Sequence, residues 1–378
     1  MPKRLPGNPV SDKMKEPNKL TMSLDLLTIP AECVTQSRIS ELDYNNIEFG
    51  KIFSDHMLVA DYKDGAWQSP QIMPYGNMSL SPATSALHYG QAIFEGMKAY
   101  KAENGDILLF RPLDNFKRLN ISAERMCMPE LPEDIFMQGL EQLLRLDAAW
   151  VPPTAGCALY IRPFMFATDD FIGVRPSSNY RFTIFSCPVG AYYGQPLKVA
   201  VEPQYVRSAE GGAGYAKAAG NYGAALLPAR KMQEKGYHQL IWTDAKEHKY
   251  IEESGTMNLM FVIDGKVVTP AVSSTILSGI TRDSVLQLAR DFGYTVEERK
   301  VSVDELVEAH KAGKLQEAFG TGTAATIAQI ATIHYNGKDM ELPAVEEREV
   351  SNRVAEELDK IKTGQSPDPH NWVYRISL

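Results

Sequence analysis

A mixed α/β fold in two domains is predicted by three features of this 378-residue sequence. Short β-branched runs alternate with segments whose apolar residues recur at helical spacing. The length suits two cores of ordinary size. A stretch of turn formers from Gly190 to Pro196 interrupts the pattern near mid-chain. It reads as a linker, 190–196, between a smaller α/β domain, 23–189, and a larger domain, 197–378, behind a tail, 1–22.

The elements follow in order. Phe49 to Tyr62 suits a strand or hairpin, and Ala99-Tyr100 with Ile107 to Phe110 flank Asn104-Gly105-Asp106, a turn that joins antiparallel strands. From Pro112 to Met126, Leu113, Phe116, Leu119 and Ala123 recur at helical spacing until Pro129 stops the run. A second helix spans about 132–146, and 158–166 and 181–189 read as strands. The larger domain opens with a strand at 197–202, then the small-residue run GGAGYAKAAGNYGAAL (211–226), then a helix over 222–235. Leu240-Ile241-Trp242 is a strand, and 259–269 a hairpin turning at Asp264-Gly265. Helices are expected at 281–292, 305–312 and 346–363, with a strand at 316–319. No internal repeat or low-complexity segment is present.

Composition narrows the function. Hydrophobic residues make up 44% and charged residues 23%, which is ordinary globular usage. A net charge of -8 argues against nucleic acid or an anionic membrane surface as the main partner, which leaves small molecules. Cys33, Cys127, Cys157 and Cys187 are far apart and have no metal-ligand spacing with histidines, so neither structural disulfides nor a metal is expected. No apolar run is long enough to span a bilayer, and no signal-peptide segment follows the first residues, so a cytoplasmic protein is expected. Pro2, Pro6, Pro9 and Pro17 make the basic opening a loose tail with Met22 as an alternative start.

Chemistry centres on Lys217 and Glu253. An amine at its ordinary pKa is protonated at neutral pH and cannot attack an aldehyde, so a reactive lysine needs unusual surroundings. Gly211, Gly212, Gly214, Gly220 and Gly223, with neighbouring alanines, leave room for a flat ring against the backbone. Glu253 suits a pyridine nitrogen, keeping it protonated so that the ring draws electrons from a substrate α-carbon, and Tyr222 suits the ring's phenolic oxygen. The cofactor so described is pyridoxal 5'-phosphate. Taken alone, Lys217 reads as a surface lysine beside a loop, and the surrounding pattern reverses that reading.

Two glycine-threonine turns suit a phosphate. Ser278-Gly279-Ile280-Thr281 opens a helix, whose first amides attract anions, or is an ordinary cap. Gly320-Thr321-Gly322-Thr323-Ala324-Ala325 matches a dinucleotide fingerprint, but the following IAQIATIHY is strand-like and leaves no βαβ unit, so a nest of amides is the smaller claim. Tyr160 and Arg162 alternate on one strand and share a face, where arginine suits a carboxylate. Arg118 is a solvated helix arginine or an anion ligand. Phe49, Tyr89, Tyr192 and Trp242 wall an apolar pocket or are core aromatics.

Taken together, FGKIFSDHML, ALHYGQAIFEGMKAY, LFRPLDNFKRLNISAERMCMP, LYIRPF, CPVGAYY, KAAGNYG, EESGTMNLMF, LSGITRDSVL and GTGTAA, in this order from about Phe49 to Gly337, resemble the branched-chain amino acid aminotransferases of class IV. The resemblance implies a fold type IV pyridoxal-phosphate enzyme, two α/β domains with the cofactor between them, and a homodimer with the region of Tyr89 at the subunit boundary. It implies that Lys217 holds the cofactor covalently and shuttles the proton at the substrate α-carbon, with Glu253 on the pyridine nitrogen and Tyr222 on the phenolic oxygen. The phosphate falls to Arg118, Ile280, Thr281 and Thr323, with Arg207 close by. Phe49, Tyr89, Tyr160 and Tyr192 become pocket wall, Thr256 and Ala324 belong to turns at the cofactor and α-carboxylate, and Arg162 receives the side-chain carboxylate of glutamate. The substrates implied are branched-chain amino acids, glutamate and their 2-oxo acids. D-amino acid aminotransferase and aminodeoxychorismate lyase share the fold type and the lysine, and a non-catalytic cofactor-binding protein is the remaining alternative. Mammalian members carry a CxxC after the GTA turn, where this sequence has Ala325 and Ala328.

Overall fold

The computed structural model describes residues 29–44, 46–190, 195–324 and 326–378. The tail 1–22, Tyr192 and Ala325 lie outside them, as does most of the expected linker; the flanking strands end at Val189 and begin at Leu197.

Two nine-stranded sheets organise the described chain. The first is built on Ala158–Ala167 and Tyr180–Val189, paired antiparallel over their whole length, with His56–Lys63 beyond them and Met97–Lys101 on the other side. The hairpin anticipated at Asn104-Gly105-Asp106 joins Met97–Lys101 to Ile107–Phe110. Helices Pro112–Arg125 and Glu133–Leu146 bury Phe116, Leu119, Ile135, Phe136, Leu140 and Leu143 in the core formed with this sheet. Their apolar residues recur every three to four positions, so one stripe of each helix faces the core.

The second sheet contains Leu197–Val201, Gln239–Thr243, Ile251–Ser254, Met257–Ile263, Leu315–Gly322 and Thr326–Tyr335. Pairing of Ile251–Ser254 with Met257–Ile263 closes these six strands into a ring around Leu197, Val199, Ile241, Leu259, Phe261, Ala318 and Ile330. The closing seam sets Glu253 opposite Asn258 and leaves Gly255-Thr256 as its turn. A side chain on Gly255, which sits at φ +53°, would overlap the Gln239 amide, so the seam needs glycine there.

Three departures from the sequence reading have physical causes. The expected helix 222–235 is two helices, Ala219–Gly223 and Leu226–Glu234, because Pro228 has no amide to bond back to Ala224. The last helix begins at Val350, after a short 3-10 turn at Val345–Glu347, since Glu317 accepts from the Val350 and Ser351 amides at 2.9 and 2.8 Å. The closing strand Val373–Ile376 returns to the first sheet beside Ile107–Phe110, although its sequence neighbours pack with the second. Trp372, its ring 5.7 Å from that of Phe110, anchors the crossing.

Candidate active site

A cavity of about 660 Å³ opens between the sheets. Phe94, Tyr160, Arg162, Phe164 and Phe185 line it from the first sheet, and Met257, Asn258, Thr321 and Gly322 from the second. Because strand side chains alternate faces, Tyr160, Arg162 and Phe164 all reach it from one strand.

Lys217 enters the cavity from a chain segment clamped on both sides. Its amide donates to the Ser122 hydroxyl at 2.9 Å, and its carbonyl accepts from the Phe94 amide at 3.1 Å. The amine donates to the Tyr222 phenol at 3.1 Å and lies 5.0 Å from the Phe94 ring centroid. The glycine run does not supply the flat surface expected of it. A side chain on Gly214 would overlap Ser208 and the Thr275 carbonyl, so that glycine serves backbone packing, and the residues of the run that face the cavity are Lys217, Ala219 and Tyr222.

Glu253 is buried at the barrel seam and lines a small pocket that shares Tyr222, Thr256 and Leu277 with the main cavity. Burial raises its carboxyl above the ordinary value, and the Arg207 guanidinium at 2.7 Å and the Leu277 amide at 2.9 Å pull against that rise. Arg207 donates to the Thr275 and Gly214 carbonyls as well. It therefore stands behind Glu253 and is not among the residues at the end of the cavity where the sequence reading expects a phosphate with Arg207 close by.

That end is formed by Arg118, Ile280, Thr281 and Thr323. Helix Ile280–Asp291 begins at Gly279 with no side-chain cap, which leaves its first amides for a ligand. Gly279 itself is required, since a side chain there would overlap Asn258. Arg118 is buried and held by Glu95 through two parallel bonds of 2.8 Å, with a third from Nη1 to the Ser278 carbonyl at 2.9 Å. Three of its five N–H groups are used and two remain. Burial works against ionisation of Glu95, but Arg118 more than offsets it and holds the carboxyl below its usual value. Asn115 completes the shell at 2.8 Å. Sequence reasoning missed Glu95, although it lies in the quoted AIFEGMKAY.

At the other end Arg162 donates to the Tyr160 phenol at 3.0 Å and lies 4.7 Å from the Phe94 ring centroid. Its Nε is buried without a partner, as is the Thr321 hydroxyl. Phe49 meets Tyr160 edge-on at 5.1 Å, and Thr256 and Ala324 also line the cavity. Tyr89 does not. It ends the short helix Ser85–Tyr89 at the surface and bonds the Ile172 carbonyl. Trp242 is core, its indole donating to the Gly255 carbonyl at 3.3 Å. Leu315–Gly322 returns directly as Thr326–Tyr335 in an antiparallel pair, so the GTGTA stretch joins a hairpin and opens no nucleotide-binding helix.

The model of the family "Amino-transferase class IV" matches residues 92–333, which carry every element of this cavity except Phe49. The chain is a class IV aminotransferase. Over 339 residues this aminotransferase is 45% identical to branched-chain-amino-acid transaminase 1 of Bacillus subtilis (strain 168), covering 88% of this chain and 95% of that protein. Among solved structures, the branched-chain amino acid aminotransferase of Escherichia coli aligns with TM-score 0.68 at 26% identity over 84% of this chain and 99% of its own. The branched-chain amino acid aminotransferase from Thermobaculum terrenum in PLP-form shares the fold, with TM-score 0.69 at 24% identity over 85% of this chain and 98% of its own.

One glycine tests the wall of this aminotransferase's cavity. A side chain on Gly96 would overlap the Tyr160 phenol. Gly96→Ala is expected to destabilise the fold by about 1–3 kcal/mol in urea unfolding, the usual range for overpacking. Combined with Tyr160→Ala the cost should largely vanish; additive effects in that double-mutant cycle would show the strain lies elsewhere.

Proposed function

We propose that this aminotransferase moves an amino group between L-leucine, L-isoleucine or L-valine and 2-oxoglutarate, giving branched-chain 2-oxo acids and L-glutamate with pyridoxal 5'-phosphate as cofactor. The observation that carries the reading is a cavity whose aromatic wall holds a half-buried arginine, its Nε buried and unpaired among the described residues, facing a lysine amine. Such a slot takes an aliphatic chain on the rings and a carboxylate on Arg162, so it accepts both halves of the reaction. The names of the relatives point to the branched-chain amino acids among these substrates.

The residues fit the cofactor. The uncapped helix start, the two spare N–H groups of Arg118, and the hydroxyls of Thr281 and Thr323 suit its phosphate; Glu253 suits the pyridine nitrogen and Tyr222 the phenolic oxygen. When bound, the cofactor supplies an electron sink for charge developing at the substrate α-carbon. Lys217 holds the cofactor and carries the proton to and from that carbon. Arg207 opposes the rise that burial imposes on the Glu253 carboxyl and so favours its ionised form. Amides at Thr256 and Ala324 orient the α-carboxylate, and Phe49 and Tyr160 exclude water.

A homodimer belongs to the same proposal. Leu87, Tyr89, Phe171, Ile172 and Val174 are exposed large apolar residues, and Tyr89 ties two of their segments together through Ile172. A face of this kind suits burial against a second copy, with Tyr89 completing the neighbouring pocket. We assign the enzyme to the cytoplasm. The four cysteines are free, which suits a reducing compartment, and no helix of the described residues is long and apolar enough to cross a membrane.

Side-by-side assays with L-leucine, D-alanine and aminodeoxychorismate test the reading. L-Leucine with 2-oxoglutarate should be turned over; activity confined to either of the others would overturn it. Arg162→Met should lower kcat/KM for 2-oxoglutarate roughly 100-fold, the loss expected of hydrogen bonds to a charged group, while leucine is affected far less. Equal losses on both substrates would remove Arg162 from carboxylate recognition.

A further inference from the structure

Two lysines outside the mechanism above touch the chain that carries Thr323 and Ala324. Lys98, on Met97–Lys101, donates to the Ala324 carbonyl at 2.6 Å. Lys362, at the end of helix Val350–Lys362, donates to the Thr326 hydroxyl at 3.3 Å and lies 5.0 Å from the Phe110 ring centroid. Lys362 is only 4% exposed. Among the described residues neither amine forms an ion pair, and Asp359 acts on both from longer range. Both line a small cavity whose walls include Thr281 and Thr323. Two shielded cations without a counter-ion thus stand directly behind the anion-binding end of the site.

We propose that Lys98 and Lys362 are positioning residues for anion binding: they hold the Ala324 carbonyl and the Thr326 hydroxyl and set a positive field there, so that the pair governs how tightly the site takes a carboxylate-bearing substrate. The inference rests on the transaminase reading. Unpaired buried charge is costly, and a carboxylate arriving at Ala324 supplies the missing partner. Burial lowers Lys98 to about 8. Burial, together with the charge on Lys98, lowers Lys362 to about 7. The other groups that face them are Asp359, which favours their charged forms, and Tyr100, which burial keeps neutral. Lys101, Glu103 and Glu356 stand on the rim of the cavity outside Lys98. An anion favours the charged amine, so affinity is greatest below the pKa of Lys362 and falls as pH rises through it.

The test uses the holoenzyme and 4-methylpentanoate, the leucine skeleton without its amine, titrated calorimetrically between about pH 6 and pH 9 across the window these pKa values define. Wild-type affinity should fall about tenfold over that range, the size of one hydrogen bond to a charged group. Lys362→Arg keeps a charge that does not titrate, so it should bind as tightly at low pH and lose most of the pH dependence. Lys98→Met should raise KM for leucine and 2-oxoglutarate about tenfold with a much smaller change in kcat, and Lys98→Arg should restore KM. The arginine variants retain charge and length, so they decide the matter even where a methionine variant fails to fold. A wild-type pH profile in Lys362→Arg, with unaltered KM in Lys98→Met, overturns the role of the lysines while leaving the enzyme a transaminase. A wild-type protein that does not transaminate leucine overturns the reading of the cavity and this inference with it.

Discussion

Lys217→Ala is expected to lower transamination of L-leucine by about 10,000-fold or more, because one substitution removes both the covalent attachment and the group that moves the α-proton. The structure isolates this effect from folding. Lys217 is fixed through its backbone, by Ser122 on one side and Phe94 on the other, and neither bond uses the side chain. Among the described residues its amine donates to the Tyr222 phenol alone. The variant should therefore unfold in urea with nearly the wild-type midpoint. It should still bind the cofactor, since the contacts assigned to Arg118, Glu253 and the helix at Ile280 remain, but the absorbance of the lysine-bound form should be missing. Turnover of leucine at the wild-type rate would dismiss Lys217 as the catalytic lysine.

The second large effect is on stability. Glu95→Ala should destabilise the protein by about 3–5 kcal/mol, since it leaves the Arg118 guanidinium buried with one of its two partners gone. Glu95 has no exposed surface, binds Arg118 through both oxygens and takes a further bond from Asn115. Water does not readily replace it there. Because the folded carboxyl lies below its ordinary value of 4.5, its contribution is fully present above that value and is lost as pH falls through the lower folded one. Urea unfolding measured from neutral to acid pH should show that loss in the wild type and a smaller loss in Glu95→Gln. Inorganic phosphate should also bind more weakly to both variants, as Arg118 is no longer aligned with the helix start at Ile280. Wild-type stability in Glu95→Ala would mean that water or a neighbouring carbonyl already satisfies Arg118.

Much of this architecture was legible because it rests on local rules. The helices at 112–125, 133–146 and 280–291 announce themselves by apolar spacing, and the hairpins by Asn104-Gly105-Asp106 and Asp264-Gly265. The shared face of Tyr160 and Arg162 follows from strand alternation alone. Other features depend on partners distant in sequence. Glu317, 33 residues from Val350, sets where the last helix starts, and no local signal marks that bond. Trp372 returns the chain end to the first sheet through contacts that only the assembled core provides. Glu95 was overlooked because a lone acidic residue between two strands is ordinary until Arg118 is seen beside it. The resemblance set Arg207 near the phosphate, whereas the structure pairs it with Glu253, a contact that only the assembled seam provides.

From the sequence by itself came the mixed α/β class and, as proposals, Lys217, Glu253 and the two glycine-threonine turns, since each is written in residue type and short spacing. Only the tertiary structure decided the rest. Closing six strands at Glu253 and Asn258 turns a motif into a seam, and packing that seam against Tyr160 and Arg162 makes a cavity. The same packing buries Arg118 with Glu95 and leaves Lys98 and Lys362 without an ion pair among the described residues. Burial and pairing are properties of the surroundings, set by chain segments hundreds of residues apart, and no spacing along the chain encodes them.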